Sequence, residues 1–302
     1  MIFTLKKNIK FSNFYKKFNT ISVILIVFSI LILFIKGLNL GVDFKGGTLI
    51  EIRVDSSNIE ISDLRQSLLK MDLGDVTVKK FGKENDYLIK IELTKSSNEN
   101  FIKSINDTMS SDLGSNINFR RVENVGPKVS SELLKSGMLA ISLSLAAMLF
   151  YIWIRFEWQF SLAAIAAIVH DVIITIGIFS FLSFEINLSI IAAVLTIVGY
   201  SMNDTVVIFD RIRENLRKYS NISIADISNN STNETLSRTL ITSITTLLAL
   251  FSIFLFGGAI LKGFSLAMII GVIVGTYSSI FVATPILNYT NVSQKSVLKE
   301  DS

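Results

Sequence analysis

Two carboxylates in this chain stand where a carboxylate is costly. Asp171, preceded by His170, lies near the middle of an apolar run at residues 160–182. Asp204 lies in the string Gly199-Tyr200-Ser201-Met202-Asn203-Asp204-Thr205, towards the end of a second run at residues 186–209. A charge at bilayer depth costs about 2.5–3.5 kcal/mol on insertion scales, so a group left there has a partner or a task. Tyr200, Ser201 and Asp204 share a helix face by their i, i+3, i+4 spacing, which places Asp204 on a polar stripe turned away from lipid. Arg238 opens a further apolar run, with Thr242, Thr245 and Ser252 continuing its face. An Asp and an Arg in one leaflet can pair when the Asp is charged and part when it is protonated.

Plainer readings fit the same residues. Asp204 also suits a structural carboxylate satisfied by neighbouring helices, and Arg238 a helix-end residue snorkelling to the headgroups. The Thr/Ser stripe suits interhelical contact of modest strength. His170 and Asp171 form a secondary pair, although adjacent helical residues are expected to point to different faces. Gly271 and Gly275 make a GxxxG, which predicts close helix packing.

Other chemistries are poorly served. With one His and no Cys in 302 residues, neither a histidine cluster nor a thiolate site can be built, and no metal site or cofactor is expected. The string GVDFKGG at residues 41–47 contains Gly41, Asp43, Phe44, Gly46 and Gly47 but no phosphate-binding loop pattern. A tight turn, with Gly supplying positive φ, is its expected role. No enzyme active site emerges, and the small net charge of +4 is no sign of nucleic-acid binding.

The elements that must position these residues follow from where the charges lie. Residues 39–135 carry 29 of the 54 charged side chains, about 30% of those positions, against about 12% elsewhere. The chain therefore divides between water and lipid, which excludes an all-soluble enzyme. Six membrane spans are predicted, at residues 21–35, 136–154, 160–182, 186–209, 236–257 and 264–287. The first follows a basic tail (Lys6, Lys7, Lys10, Lys16, Lys17) with no cleavage site after it, which reads as an uncleaved anchor.

The short basic loops (Arg155; Arg211, Arg213, Arg217 and Lys218) and the tail with Lys295 and Lys299 all fall on one side when there are six spans. Both termini are then expected in the cytoplasm and residues 39–135 outside the membrane, in the periplasm. Trp153 and Trp158 suit an interfacial belt. The expected organisation is a tail and first span over 1–38, the outer domain over 39–135, spans two to six over 136–290 with a cytoplasmic loop at 210–235, and a tail over 291–302. That loop suggests a helical extension of the fourth span followed by a surface helix.

Within the outer domain the pattern alternates at 48–54, is helical at 62–73 with a Ser cap, and gives a hairpin at 76–81 and 87–93 around the GKEND turn. A second helix at 98–113 and a strand at 118–125 complete it. The order βαββαβ is ferredoxin-like. The fold class is thus an α-helical membrane protein with six transmembrane helices and one extracytoplasmic α+β domain between the first two.

Taken together, GVDFKGG after the first span, VGPKVSSELLKSG entering the second, HDV in the third, VGYSMNDTVVIFDRIREN through the fourth and SRTLITSITTLLAL in the fifth resemble the SecF branch of the SecD/SecF family. The resemblance covers nearly the whole chain. It implies one half of a transporter of the resistance-nodulation-division type, completed by SecD, that uses the proton-motive force to help draw unfolded preproteins through the Sec channel. It implies as partners SecD, the channel subunits SecY, SecE and SecG, and the neighbours YajC and YidC, in the bacterial inner membrane. It places proton passage at Asp204 and Arg238, with Asn203, Tyr200 and Ser201 supporting and an Asp supplied by SecD. Two alternatives remain: a scaffold that only holds SecD at the channel, and half of a small-molecule or lipid exporter, disfavoured by six spans and a single outer domain.

Overall fold

In the computed structural model, which describes residues 8–55, 59–71, 73, 76–80, 85–91, 99–219, 222–290 and 292–293, six helices are long and apolar enough to cross a membrane. The first is α1 (Tyr15–Lys36), entered through a single tight turn at Phe11–Phe14. A short helix, α2 (Val42–Lys45), follows. Then come β1 (Gly47–Val54), α3 (Ile61–Leu69), β2 (Val76–Lys80), β3 (Asp86–Ile91), α4 (Glu99–Leu113) and β4 (Ile117–Val125). The remaining spans are α5 (Pro127–Arg155), α6 (Trp158–Phe181), α7 (Leu188–Lys218) and α8 (Ile224–Phe256), and last α9 (Gly258–Ser278), which continues through a π-helical turn (Ser279–Ala283) into α10 (Thr284–Tyr289). The chain forms two compact units: Leu40–Leu139 with Glu185–Leu188, and the remainder.

The smaller unit is a four-stranded antiparallel sheet in the order β2-β3-β1-β4. That order is the ferredoxin-like arrangement expected from βαββαβ. β1 is central because its alternation is the cleanest: Ile50, Ile52 and Val54 are fully buried on one face. They meet Leu64 and Leu68 of α3 and Ile105 and Met109 of α4, apolar residues at helical spacing. The Ser cap expected for α3 is not the one used. The helix begins at Ile61, and the Asp63 carboxylate accepts from the Glu60 backbone N–H at 3.0 Å, an acidic residue in the first turn. Residues 92–93 of the expected third strand, most of the GKEND turn, the expected helix start at 98, and Lys6, Lys7, Lys295 and Lys299 lie outside the described residues.

In the larger unit, about half of the most apolar stretch is buried in α6, α7 and the α9–α10 span, and little of it in α1, α5 and α8. The bundle interior is therefore made by α6, α7 and α9, and the other three present apolar faces outward. α9 packs closely on α7 because of the glycines predicted to allow it. A Cβ on Gly271 would fall 2.3 Å from the Ile197 side chain, and one on Gly275 3.0 Å from Ser201 Cβ. The π turn after α9 precedes Pro285, which has no N–H to give the ladder and would crowd the carbonyl four residues back.

Two expectations are corrected. No separate surface helix covers the Asn- and Ser-rich stretch; it forms the first turns of α8, capped by Ser223 accepting from Asp226 N–H at 3.1 Å. Its polar side chains are buried because they hold the N-terminal segment. Asn233 pairs with both backbone groups of Ile9 (2.9 and 2.8 Å), and Asn229 takes the Ser12 N–H at 2.9 Å. The second span likewise starts earlier than expected, at Pro127, where a missing N–H costs nothing because the first helical donors have no partner anyway.

Candidate functional site

α7 carries the predicted stripe. Ser201 and Asp204 are buried at 1% and 3% exposure, and Tyr200 is half-buried. Asn203 points the other way and is exposed. Asp204 Oδ2 is enclosed and has no hydrogen-bond partner. The groups acting on this carboxylate come from α8: the Arg238 guanidinium and the Ser243 hydroxyl. Arg238 itself is exposed, and the described residues include no ion pair between it and Asp204. Ser243 is in turn linked to Thr276 of α9 at 2.7 Å and, weakly at 3.5 Å, to the Tyr200 hydroxyl.

The face of α8 turned into the bundle is not the stripe expected from sequence. Thr239 and Ser243 are buried, whereas Thr245 and Ser252 are exposed, and Thr242 and Thr245 donate to carbonyls of their own helix. Hydroxyls on a membrane helix satisfy themselves in this way whichever side they face, so a Ser/Thr pattern marks the packed face poorly.

The densest polar contacts belong to Asp171. Its Oδ2 accepts from Ser201 Oγ of α7 at 2.5 Å and from Ser278 Oγ of α9 at 2.7 Å, and its Oδ1 lies 2.7 Å from His170 Nδ1. Neighbouring residues were expected to diverge, but the imidazole turns back along α6 to the carboxylate beside it, and both are 1% exposed. The imidazole ring stacks on Tyr277, with ring centroids 6.0 Å apart. Tyr277 donates to the Phe18 carbonyl of α1 at 2.7 Å. His170 Nε2 is buried without a partner. Ser278 was not anticipated; a lone serine near the end of an apolar run carries no signal that a carboxylate lies opposite it.

GVDFKGG folds as the turn it was expected to be, with Gly46 at φ +80° and Gly47 at +130°. Its other residues hold the start of α7. Gly41 N–H donates to the Ile186 carbonyl at 2.8 Å, and a Cβ there would lie 2.7 Å from Glu185 Oε1. Asp43 Oδ2 accepts from Leu188 N–H at 2.9 Å, capping α7 from a residue 145 positions away. Phe44 is buried beneath the turn. Among the described residues no group of three or more His, Asp or Glu could hold a metal ion.

A bundle of six membrane helices, a ferredoxin-like insertion after the first, and two buried carboxylates inside define a transport-type membrane protein. A family model for "Protein export membrane protein SecD/SecF, C-terminal" matches residues 98–293, and one for the "SecD/SecF GG Motif" matches residues 31–57. The chain is 45% identical over 285 residues to the protein translocase subunit SecF of Rickettsia bellii, covering 93% of each chain, and 46% identical to that of Rickettsia conorii, covering 93% of this chain and 92% of that one. It superposes on the crystal structure of SecDF, a translocon-associated membrane protein from Thermus thermophilus, with TM-score 0.86 and 32% identity, covering 97% of this chain and 40% of that one. A super-membrane-facing form of SecDF gives TM-score 0.72 at 31% identity, over 100% of this chain and 41% of that one. The chain belongs to the SecD/SecF family.

Proposed function

We propose that this protein is the SecF-type half of a proton-driven accessory of protein export. It spans 40% of the solved SecDF chain, and in this reading a SecD partner supplies the counterpart of the rest. In this reading the assembly lies in the bacterial inner membrane, beside a channel of SecY, SecE and SecG with YajC and YidC as neighbours. Both termini are cytoplasmic and the domain at residues 39–135 is periplasmic, where it meets unfolded preprotein.

One observation carries the reading. Asp204 is enclosed, with one carboxylate oxygen unpartnered, and a guanidinium acts on it without closing an ion pair. Charged, it draws Arg238; protonated, it releases it, and the two forms favour different positions of α7 against α8. One elementary charge moved through 100 mV supplies about 2.3 kcal/mol, enough to bias that choice about fiftyfold. Tyr200 and Ser201, on the same face, would line the route, with Asn203 supporting from the outer face of α7. The His170–Asp171 pair stands one helix away as a secondary station.

Inverted vesicles containing the SecD partner test this. Asp204→Asn at matched complex levels is expected to abolish the proton-driven part of preprotein movement while assembly is retained. Native translocation by that variant would leave the chain a scaffold for SecD.

A further inference from the structure

Where α5 and α6 meet, beside the polar end of α7, a cavity of about 380 Å³ is lined by Arg155, Asp210, Arg213, Glu214, Arg217 and Lys218. Proton coupling makes no use of it. We propose that this cavity binds the phosphate-bearing headgroup of an anionic phospholipid.

The lining carries two more positive than negative charges, and both of its carboxylates are engaged. Asp210 accepts from Arg155 at 3.1 Å, and Glu214 is held by Arg211, which lies outside the lining. Arg213 is set in place by the buried Glu157 at 3.3 Å and by donating to the Arg155 carbonyl at 3.2 Å. Arg155 and Arg213 both lie over the Phe156 ring, at 5.1 and 5.9 Å. Guanidinium groups fixed by such contacts are prepared for a phosphate, because less side-chain freedom is lost when it arrives.

The setting selects a lipid over a soluble anion. α5 and α6 are membrane spans joined through Phe156 and Glu157 alone, so the turn between them lies at a bilayer boundary. α7, with 31 residues, is ~46 Å long against a hydrocarbon layer of about 30 Å, which lets its charged end reach past that boundary. Trp153 and Trp158 flank the turn at 66% and 60% exposure, the position that indoles take at the headgroup level. Phe150, Ile154 and Leu162 are exposed on the same two helices and offer a wall for acyl chains. A basic pocket between spans, with an apolar surface beside it, is the combination that retains anionic lipid headgroups.

The two tryptophans are the only ones in the chain and report on the site directly. The full-length protein would be reconstituted in vesicles in which brominated phosphatidylglycerol replaces phosphatidylcholine stepwise, and in the reverse series with brominated phosphatidylcholine. Quenching by the anionic lipid is expected to half-saturate at a mole fraction about fivefold lower than by the zwitterionic lipid, and Arg217→Gln with Lys218→Gln to remove that preference. Arg217→Lys should retain it. If the double variant is not recovered folded, Lys218→Gln alone, which gives up the ammonium 5.3 Å from the Tyr219 ring centre and its attraction to Glu234, should lower the preference. Equal quenching by both lipids in the native protein, or an unchanged preference in a folded variant, overturns the proposal. Loss of the preference in inorganic phosphate, but not in chloride at matched ionic strength, would assign the cavity to the free anion and overturn it as well.

Discussion

Ser201 of α7 donates to Asp171 of α6 across 2.5 Å and stands one helical turn from Asp204 on its own helix. The same Asp171 oxygen takes Ser278 of α9 at 2.7 Å. One carboxylate thus ties together the three helices that make the bundle interior. Because Ser201 is its contact on α7, Asp171 also fixes the height and rotation at which α7, and Asp204 with it, stands against α6.

Asp171→Asn should therefore loosen the bundle. The amide has one acceptor oxygen where the carboxylate has two, and its N–H₂ would face a hydroxyl or the imidazole. A buried hydrogen bond contributes about 0.5–1.5 kcal/mol and a partner left unsatisfied costs about 1–3 kcal/mol, so a loss of about 2 kcal/mol is expected, with Ser278→Ala costing about half of that. Thermal unfolding of the purified protein in detergent reads both. A melting temperature unchanged in Asp171→Asn would show that the three helices hold without it.

Packing between α7 and α9 should be intolerant of one methyl group. Gly271→Ala sets a Cβ 2.3 Å from Ile197, and overpacking of this kind costs about 1–3 kcal/mol. Ile197→Ala introduced alongside it should recover part of the loss, a coupling that separate single-variant effects would not give. Additive melting shifts in the double variant would refute the contact.

The cap on α7 has a local signature. Asp43→Ala removes the acceptor for Leu188 N–H and should cost about 1 kcal/mol, the usual value of a lost N-cap. Hydrogen exchange at the first amides of α7 should quicken, while Asp43→Asn, which keeps an oxygen in place, should stay near native. Equal exchange in all three proteins would mean that the turn is held by Gly41 and Ile186 alone.

Acid sensitivity of the sheet domain has an identifiable contributor. Lys70 at 2.8 Å, and then Ser67 at 3.0 Å, hold the Asp112 carboxyl below its ordinary value. A carboxylate whose folded pKa is depressed stabilises the fold fully above its unfolded value of about 3.9, and the contribution is lost as pH falls through the lower folded value. Native protein should melt above Asp112→Asn at neutral pH, and the difference should close as the solution is acidified below pH 4. A gap that stays constant through that range would exclude the ionised form as its source.

Much of this protein could be read from residue order. Charge segregation sets the sheet-forming stretch apart from the long apolar helices, because lipid excludes charge at a cost that no local preference can offset. Period-two alternation in β1 and helical spacing at Leu64 and Leu68 specify the βαββαβ order, since each pattern buries one face only in its own geometry. Asp171 and Asp204 both stand out on insertion cost, which does not separate one from the other.

Other features depend on residues that meet only in three dimensions. The two serine partners of Asp171 lie 30 and 107 positions away, and a serine carries the same composition signal whether it bonds its own helix or a carboxylate on another. Asn229 and Asn233 look like loop residues until Ser12 and Ile9 arrive with backbone groups to satisfy. Asp43 looks like part of a glycine turn until the start of α7 presents an N–H that nothing in its own helix can accept. Periodicity fixes which face a residue occupies; what stands opposite that face is decided by the packing of helices, where a buried polar group must find whichever partner the fold brings.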